Sequence, residues 1–299
     1  MILADEDARL FARAAAWTGM ESDLAELARS EGLDFATALL YDRLLRVPEN
    51  AEFLRSAHEA QHPEKNDRDL IGIVPGAFHR EHRHTSADGA SVLAIARELG
   101  CAAEVIPTAS LGTLDENAGA ILDWLAAHRG RRVVLVSLSK GGADVKRALS
   151  HRAAAFEDVS AWVSFSGIVQ GTPLIEWLRR QPLRWWGVQL WLWWRGYRAQ
   201  ALNELRHDAT SAWPPLPAHI HVVHVCGFPL RRHLAHPWAP RGYARLSPLG
   251  PNDGGGILLA DCTKLPGIVC PIWGADHYLM PTWDVLPLLT GIVAAALRK

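Results

Sequence analysis

Three residues far apart in the chain have the types needed for acyl transfer: Ser139, Asp253 and His277. A serine hydroxyl is a weak nucleophile until a base takes its proton, and an imidazole base needs a partner to fix its tautomer. Ser139 sits in Ser137-Leu138-Ser139-Lys140-Gly141, directly after the apolar run at 133–136 and before a helix-like stretch at 143–149. Small residues on both sides permit a sharp strand-to-helix turn that holds the hydroxyl up at a sheet edge. An ordinary serine- and glycine-containing loop would read the same way, so the motif gains weight only from its partners.

The other two residues follow later apolar runs. His277 ends Gly274-Ala275-Asp276-His277, after an expected strand at 268–273. Asp253 lies in the glycine-rich loop 250–256, beyond an expected strand at 219–225. In a parallel α/β sheet, functional side chains gather just past the C-terminal strand ends. Asp261 and Asp276 are rival acids, and thirteen other histidines compete with His277. Asp253 is preferred because a glycine-flanked loop places a carboxylate beyond a strand, whereas Asp261 follows the apolar run 257–260. Two backbone donors are expected for an oxyanion. One is the N–H of Lys140, after the nucleophile, and the other that of Ala77 in Pro75-Gly76-Ala77-Phe78. This chemistry requires neither metal nor cofactor.

The elements that must position these groups are legible in the hydrophobic pattern. Short apolar runs at 70–74, 102–106, 133–136 and 159–165 alternate with helical periodicity at 91–99 and 118–128. Strand and helix alternating at this spacing predict a mostly parallel sheet with helices on both faces. A last helix is expected over 283–297. Residues 1–67 read as a helical N-terminal extension, and 68–299 as the catalytic domain with an insertion at about 171–215.

Bulk properties narrow the class. The chain has 299 residues, 49% hydrophobic and 21% charged, with a formal net charge of −1. A near-neutral surface without a basic run gives no attraction to nucleic acid. The four cysteines are scattered without C-x-x-C spacing, as expected for reduced thiols. Residues 1–7 lack a signal-peptide pattern and no apolar run approaches a membrane span, so a cytoplasmic location is expected. The sequence carries no signal for oligomeric state.

Taken together, the strand–Pro75-Gly76 loop, the Ser137–Gly141 elbow, the Asn252-Asp253-Gly254 loop and the Ala275-Asp276-His277 turn resemble the α/β-hydrolase superfamily, particularly its lipases and esterases. The resemblance covers about residues 69–299. It implies an α/β-hydrolase fold and a Ser139–Asp253–His277 triad, in the chain order that family uses. The expected reaction is hydrolysis of a carboxylic ester through an acyl-enzyme, with a small-molecule ester or lipid as substrate. Three features depart from the family pattern. Ser137 replaces the usual first glycine, Pro75-Gly76 stands for His-Gly, and helices replace the opening strands. An acyltransferase or amidase using the same triad, or a non-catalytic lipid- or partner-binding module of the same fold, are the alternatives.

Six of the thirteen tryptophans fall between Trp177 and Trp194. Helical spacing places Leu183, Trp186, Leu190, Trp193, Trp194 and Tyr197 on one face, with arginines on another. Lipases of this kind carry a cap at this point of the chain. The segment is expected to roof the active site, with Phe78, Trp186, Leu190 and Trp193 against the substrate; the alternative is a cap helix that buries its tryptophans on the sheet and touches no ligand. Transient contact with a membrane interface is a second role for it. The histidines at 79, 82 and 84 are interleaved with charged residues as in a solvated loop, and those at 219, 221 and 224 do not converge on a strand, so neither set is expected to hold a metal.

Overall fold

The computed structural model describes residues 5–19, 23–60 and 69–299. Six strands form one parallel sheet: β1 (Leu70–Val74), β2 (Ala102–Val105), β3 (Val133–Leu138), β4 (Val159–Phe165), β5 (His221–Phe228) and β6 (Ile268–Trp273). Their order is β2-β1-β3-β4-β5-β6, and every neighbouring pair is parallel. β1 and β3 are buried along their whole length, which is why they read as unbroken apolar runs rather than alternating ones.

Helices cover both faces. The first four, α1 (Asp5–Ala15), α2 (Leu24–Ser30), α3 (Leu33–Leu45) and α4 (Pro48–Glu59), precede the sheet. α5 (Ala90–Leu99), α6 (Leu114–Ala127) and α7 (Lys140–His151) follow β1, β2 and β3. The insertion after β4 carries α8 (Pro173–Arg179), α9 (Pro182–Trp194) and the short α10 (Gln200–Asn203). α11 (Ala239–Leu246) lies between β5 and β6, and α12 (Leu286–Leu297) closes the chain.

One face of the sheet packs Ile71, Val134, Val163 and Val225 against α4, α5 and α12. The other packs Val74, Leu135 and Trp162 against α6 and α7. The early helices share these cores. Phe53 and Ala57 of α4 join the first face, and Phe35, Leu39 and Leu40 of α3 pack with Phe228 and Trp273 at the β5–β6 end.

Among the boundaries that differ from the sequence reading, three have a clear local reason. α6 begins at Leu114 rather than 118 because Thr113 and Glu116 form a reciprocal capping box there. α12 begins at Leu286 rather than 283, where the Asp284 carboxylate accepts the Leu286 N–H. β5 runs from His221 to Phe228 rather than over 219–225, because its last residues pair with β6 up to Phe228–Trp273. All four cysteines are free thiols.

The insertion overturns the expected orientation of α9. Leu192 is fully buried, with Trp185, Val188 and Trp191 packed beside it against Leu111, Leu114, Ala143 and Ile175. Trp186, Leu190 and Trp193, expected over the substrate, instead face solvent. Nearly every position of α9 is apolar, so periodicity could not choose the inner stripe; contact with the sheet's helices did.

Candidate active site

β3 ends and α7 begins at Ser139, whose backbone sits at φ 48° and ψ −115°. This is a left-handed conformation that costs a non-glycine residue energy and persists only where surrounding structure enforces it. The enforcement is visible. The Ser139 N–H donates to Phe165 O at 2.9 Å, and the Ser139 carbonyl accepts from the Ile168 and Gly142 N–H groups at 2.9 and 3.0 Å. Gly141 follows from close approach: a Cβ there would stand 2.5 Å from Val74 O and 2.7 Å from Pro75 O. Ser137 takes the position where a first glycine was expected. Its hydroxyl is fully buried and accepts the Trp162 indole N–H at 2.9 Å.

The structure brings the three residues named from sequence into one chain of hydrogen bonds. Ser139 Oγ lies 2.9 Å from His277 Nε2, and His277 Nδ1 lies 2.5 Å from Asp253 Oδ2. An ionised carboxylate only accepts, so Nδ1 carries the ring proton and Nε2 is left to accept from the serine. The second carboxylate oxygen, Asp253 Oδ1, accepts three backbone N–H groups, from Gly255, Gly256 and Ile257, each at 2.9 Å. The glycine-rich loop thus holds the carboxylate with its own backbone. It also admits the imidazole, since a Cβ on Gly255 would lie 2.2 Å from the His277 Cβ.

Electrostatics follow from this geometry. Burial pushes the Asp253 carboxyl up. The His277 charge and hydrogen bond, together with the Ile257 and Gly255 N–H groups, outweigh that and hold it below the ordinary carboxylate range. Burial likewise works to lower His277, but the Asp253 charge and hydrogen bond prevail and raise it above an ordinary imidazole. The rival acids are engaged elsewhere. Asp261 pairs with His207 at 2.7 Å, tying the end of the insertion to the loop before β6. Asp276 accepts the His236 and Tyr278 N–H groups, each at 3.0 Å.

The loop after β1 crosses close to the serine: a Cβ on Gly76 would stand 3.4 Å from the Ser139 Cβ. The Gly76 N–H donates to Ala87 O at 2.8 Å and the Phe78 N–H to Ser110 O at 3.0 Å. Among the described residues the intervening Ala77 N–H has no acceptor, and Ala77 lines the cavity at Ser139. His79 is buried and donates through Nδ1 to Gly76 O at 3.0 Å, bracing the loop. Glu81 braces it from outside, accepting the Ser110 hydroxyl at 2.5 Å and the Tyr197 hydroxyl from the insertion. Lys140, whose N–H is the other expected donor, starts α7. Its buried ammonium pairs with Asp144 at 2.6 Å, and burial pushes the Asp144 carboxyl up to about 6.

Ser139 and His277 open into a mainly apolar cavity of about 400 Å³. Phe78 lines it, as expected from sequence. Trp186, Leu190 and Trp193 do not; the walls include instead Trp238, Tyr278, Met280, Leu286 and Leu289. Sequence reasoning missed these because they lie on segments before α11 and around the start of α12, with no motif of their own. His82 and His84 are not a metal pair but stack edge-on with Trp238 at the rim, ring centroids 4.7 and 5.1 Å away. His224 is buried against Trp162 and Trp213. Among the described residues no group of three histidine, cysteine or acidic side chains could hold a metal ion, and no helix is long and apolar enough to cross a membrane.

Known structures share this architecture. The metagenomic carboxyl esterase MGS0156 superposes with a TM-score of 0.57 at 19% identity, over 79% of this chain and 77% of that one. The mature Bacillus licheniformis lipase BlEst2 gives 0.54 at 21% identity, over 73% and 88%. This chain has the α/β-hydrolase fold. No protein-family model matches the sequence, and no curated protein matches it. In this fold the parallel sheet presents the serine after β3, the aspartate after β5 and the histidine after β6, the C-terminal strand ends converging on one site.

Proposed function

We propose that the protein hydrolyses carboxylic esters with an apolar acyl group, through an acyl-enzyme. The observation that carries this reading is the unbroken relay from Ser139 Oγ through the His277 ring to Asp253, opening on an apolar cavity. Ser139 Oγ attacks the ester carbonyl while His277 Nε2 takes its proton. The tetrahedral oxyanion is held by the N–H groups of Ala77 and Lys140, donors of a kind worth about 3 kcal/mol each in barrier lowering. His277 then protonates the departing alkoxide, leaving Ser139 acylated. Water, deprotonated by the same imidazole, releases the acid and restores the serine. Asp253 stays ionised throughout, orienting the ring and stabilising the imidazolium.

A fluorophosphonate probe tests the reading, with nitrophenyl esters from acetate to palmitate as the activity assay. Stoichiometric labelling at Ser139, lost in Ser139→Ala together with ester turnover, is the expected result. Folded protein that takes up no probe would make the chain a binding module instead. Ester formation with added alcohols at the expense of free acid would make it an acyltransferase, and preferential cleavage of the matching amides an amidase.

A further inference from the structure

The outer side of α9 is a surface feature that the catalytic cavity does not use. Leu183, Trp186, Leu190, Trp193 and Trp194 all point to solvent, with exposures between 47% and 88%. They recur at intervals of three and four along a single helix, so they form one stripe. Exposed apolar residues are ordinary singly; a contiguous stripe of this size marks a contact surface. The stripe is not waiting for the sheet, since the inner side of α9 is already seated through Leu192 and through Trp191 against Phe78, ring centroids 5.9 Å apart.

Charge indicates what it meets. Residues 177–198 hold five arginines and no acid, in a chain whose net charge is −1. Beside the stripe, α8, α9 and α11 frame an open groove lined by Trp177, Arg184, Trp191, Arg241 and Arg245, with no carboxylate among its lining residues. The Arg245 guanidinium lies 3.9 Å from the Trp177 ring centroid and that of Arg184 5.5 Å from it. Two like charges are thus gathered on one indole, and Arg241 lines the same groove beside them. Planar guanidinium forks match phosphate oxygens in pairs.

We propose that this face docks on an anionic phospholipid surface, the α9 stripe entering the headgroup–acyl boundary while Arg184, Arg241 and Arg245 take lipid phosphates. Tryptophan is suited to that depth, and a basic patch adds attraction to anionic lipid. A second copy is a poorer occupant, because symmetric pairing would set one arginine groove against another. The position also fits the catalytic cavity. Trp238, three residues before Arg241, lies on the cavity rim with Met280, and both are partly exposed. α11 therefore leads from the cavity mouth to the groove.

The test is co-sedimentation of the 299-residue chain carrying Ser139→Ala, which cannot turn lipid over, with vesicles of phosphatidylcholine alone or mixed with phosphatidylglycerol. Binding to the mixed vesicles, weakened by salt and absent from the neutral ones, is expected. Replacing Arg184, Arg241 and Arg245 together by Gln should lower partitioning by about a hundredfold. Replacing Trp186, Trp193 and Trp194 by Ser should abolish it. All six side chains are solvent-facing, and circular dichroism matching the parent shows that each variant folds. Equal binding to both vesicles, binding to neither, or self-association through the same residues overturns the proposal. So does displacement by inorganic phosphate beyond that caused by chloride at equal ionic strength, which would make the groove a site for soluble phosphate. None of these outcomes depends on the hydrolase reading, which stands or falls on fluorophosphonate labelling.

Discussion

Trp162, on β4, donates its indole N–H across the sheet to the Ser137 hydroxyl on β3, two residues before the candidate nucleophile. A glycine at 137 would leave that N–H buried without a partner. The serine is therefore a packing requirement of this sheet rather than a defect in the elbow. Its hydroxyl is spent on Trp162, in the core beneath α6 and α7.

Ser137→Gly should consequently cost about 1–3 kcal/mol of stability, the penalty for an unsatisfied buried donor. Urea denaturation reads this directly, and the folded variant should match the parent in the nitrophenyl-ester assay. With Trp162→Phe in the same background, the two losses should be less than additive. Simple additivity would mean the bond contributes nothing.

Asp253 and Asp261 separate cleanly by experiment. Asp253→Asn should reduce kcat by about 10⁴-fold, because an amide favours the wrong imidazole tautomer. Asp261→Asn breaks only the contact with His207 and should leave kcat near the parent value while loosening the insertion. Equal activity of the two variants would remove Asp253 from the relay.

The pH profile follows from the raised His277 pKa. The imidazole must be neutral to accept the serine proton. Activity is therefore present at high pH and lost as pH falls through a value above the ordinary imidazole range. In Asp253→Asn the charge that raises His277 is gone and burial remains, so the residual activity should persist to lower pH. A midpoint that does not move would show that some other group controls the profile.

Acyl-chain preference should respond to the cavity and not to α9. Leu286→Trp fills part of the wall beside Met280 and Tyr278, and should shift the nitrophenyl-ester optimum toward shorter chains. Trp193→Ala, on the outward stripe, should leave the profile with soluble esters unchanged. The opposite pattern would return the substrate to the tryptophan-rich segment.

Much of this protein is written locally. Buried strands such as β1 and β3 show as unbroken apolar runs, and the parallel sheet follows from strand–helix alternation. The serine, the glycine-flanked aspartate and the histidine each sit just beyond a strand end, so type and spacing were enough to name them as candidates. Hydrophobic pattern and turn residues encode such features over a few positions, which is all a linear reading needs.

Tertiary structure alone decided the rest. Which side of α9 turns inward depends on Leu111, Ala143 and Ile175, far away in the chain, because apolar residues surround that helix and its own period is silent. The cavity walls from Trp238, Met280 and Leu286 exist only once α11 and α12 are packed around the serine. The glycine-flanked loop already favoured Asp253 over Asp261, but the 2.5 Å contact with His277 exists only in the folded chain, a distance that no local pattern contains.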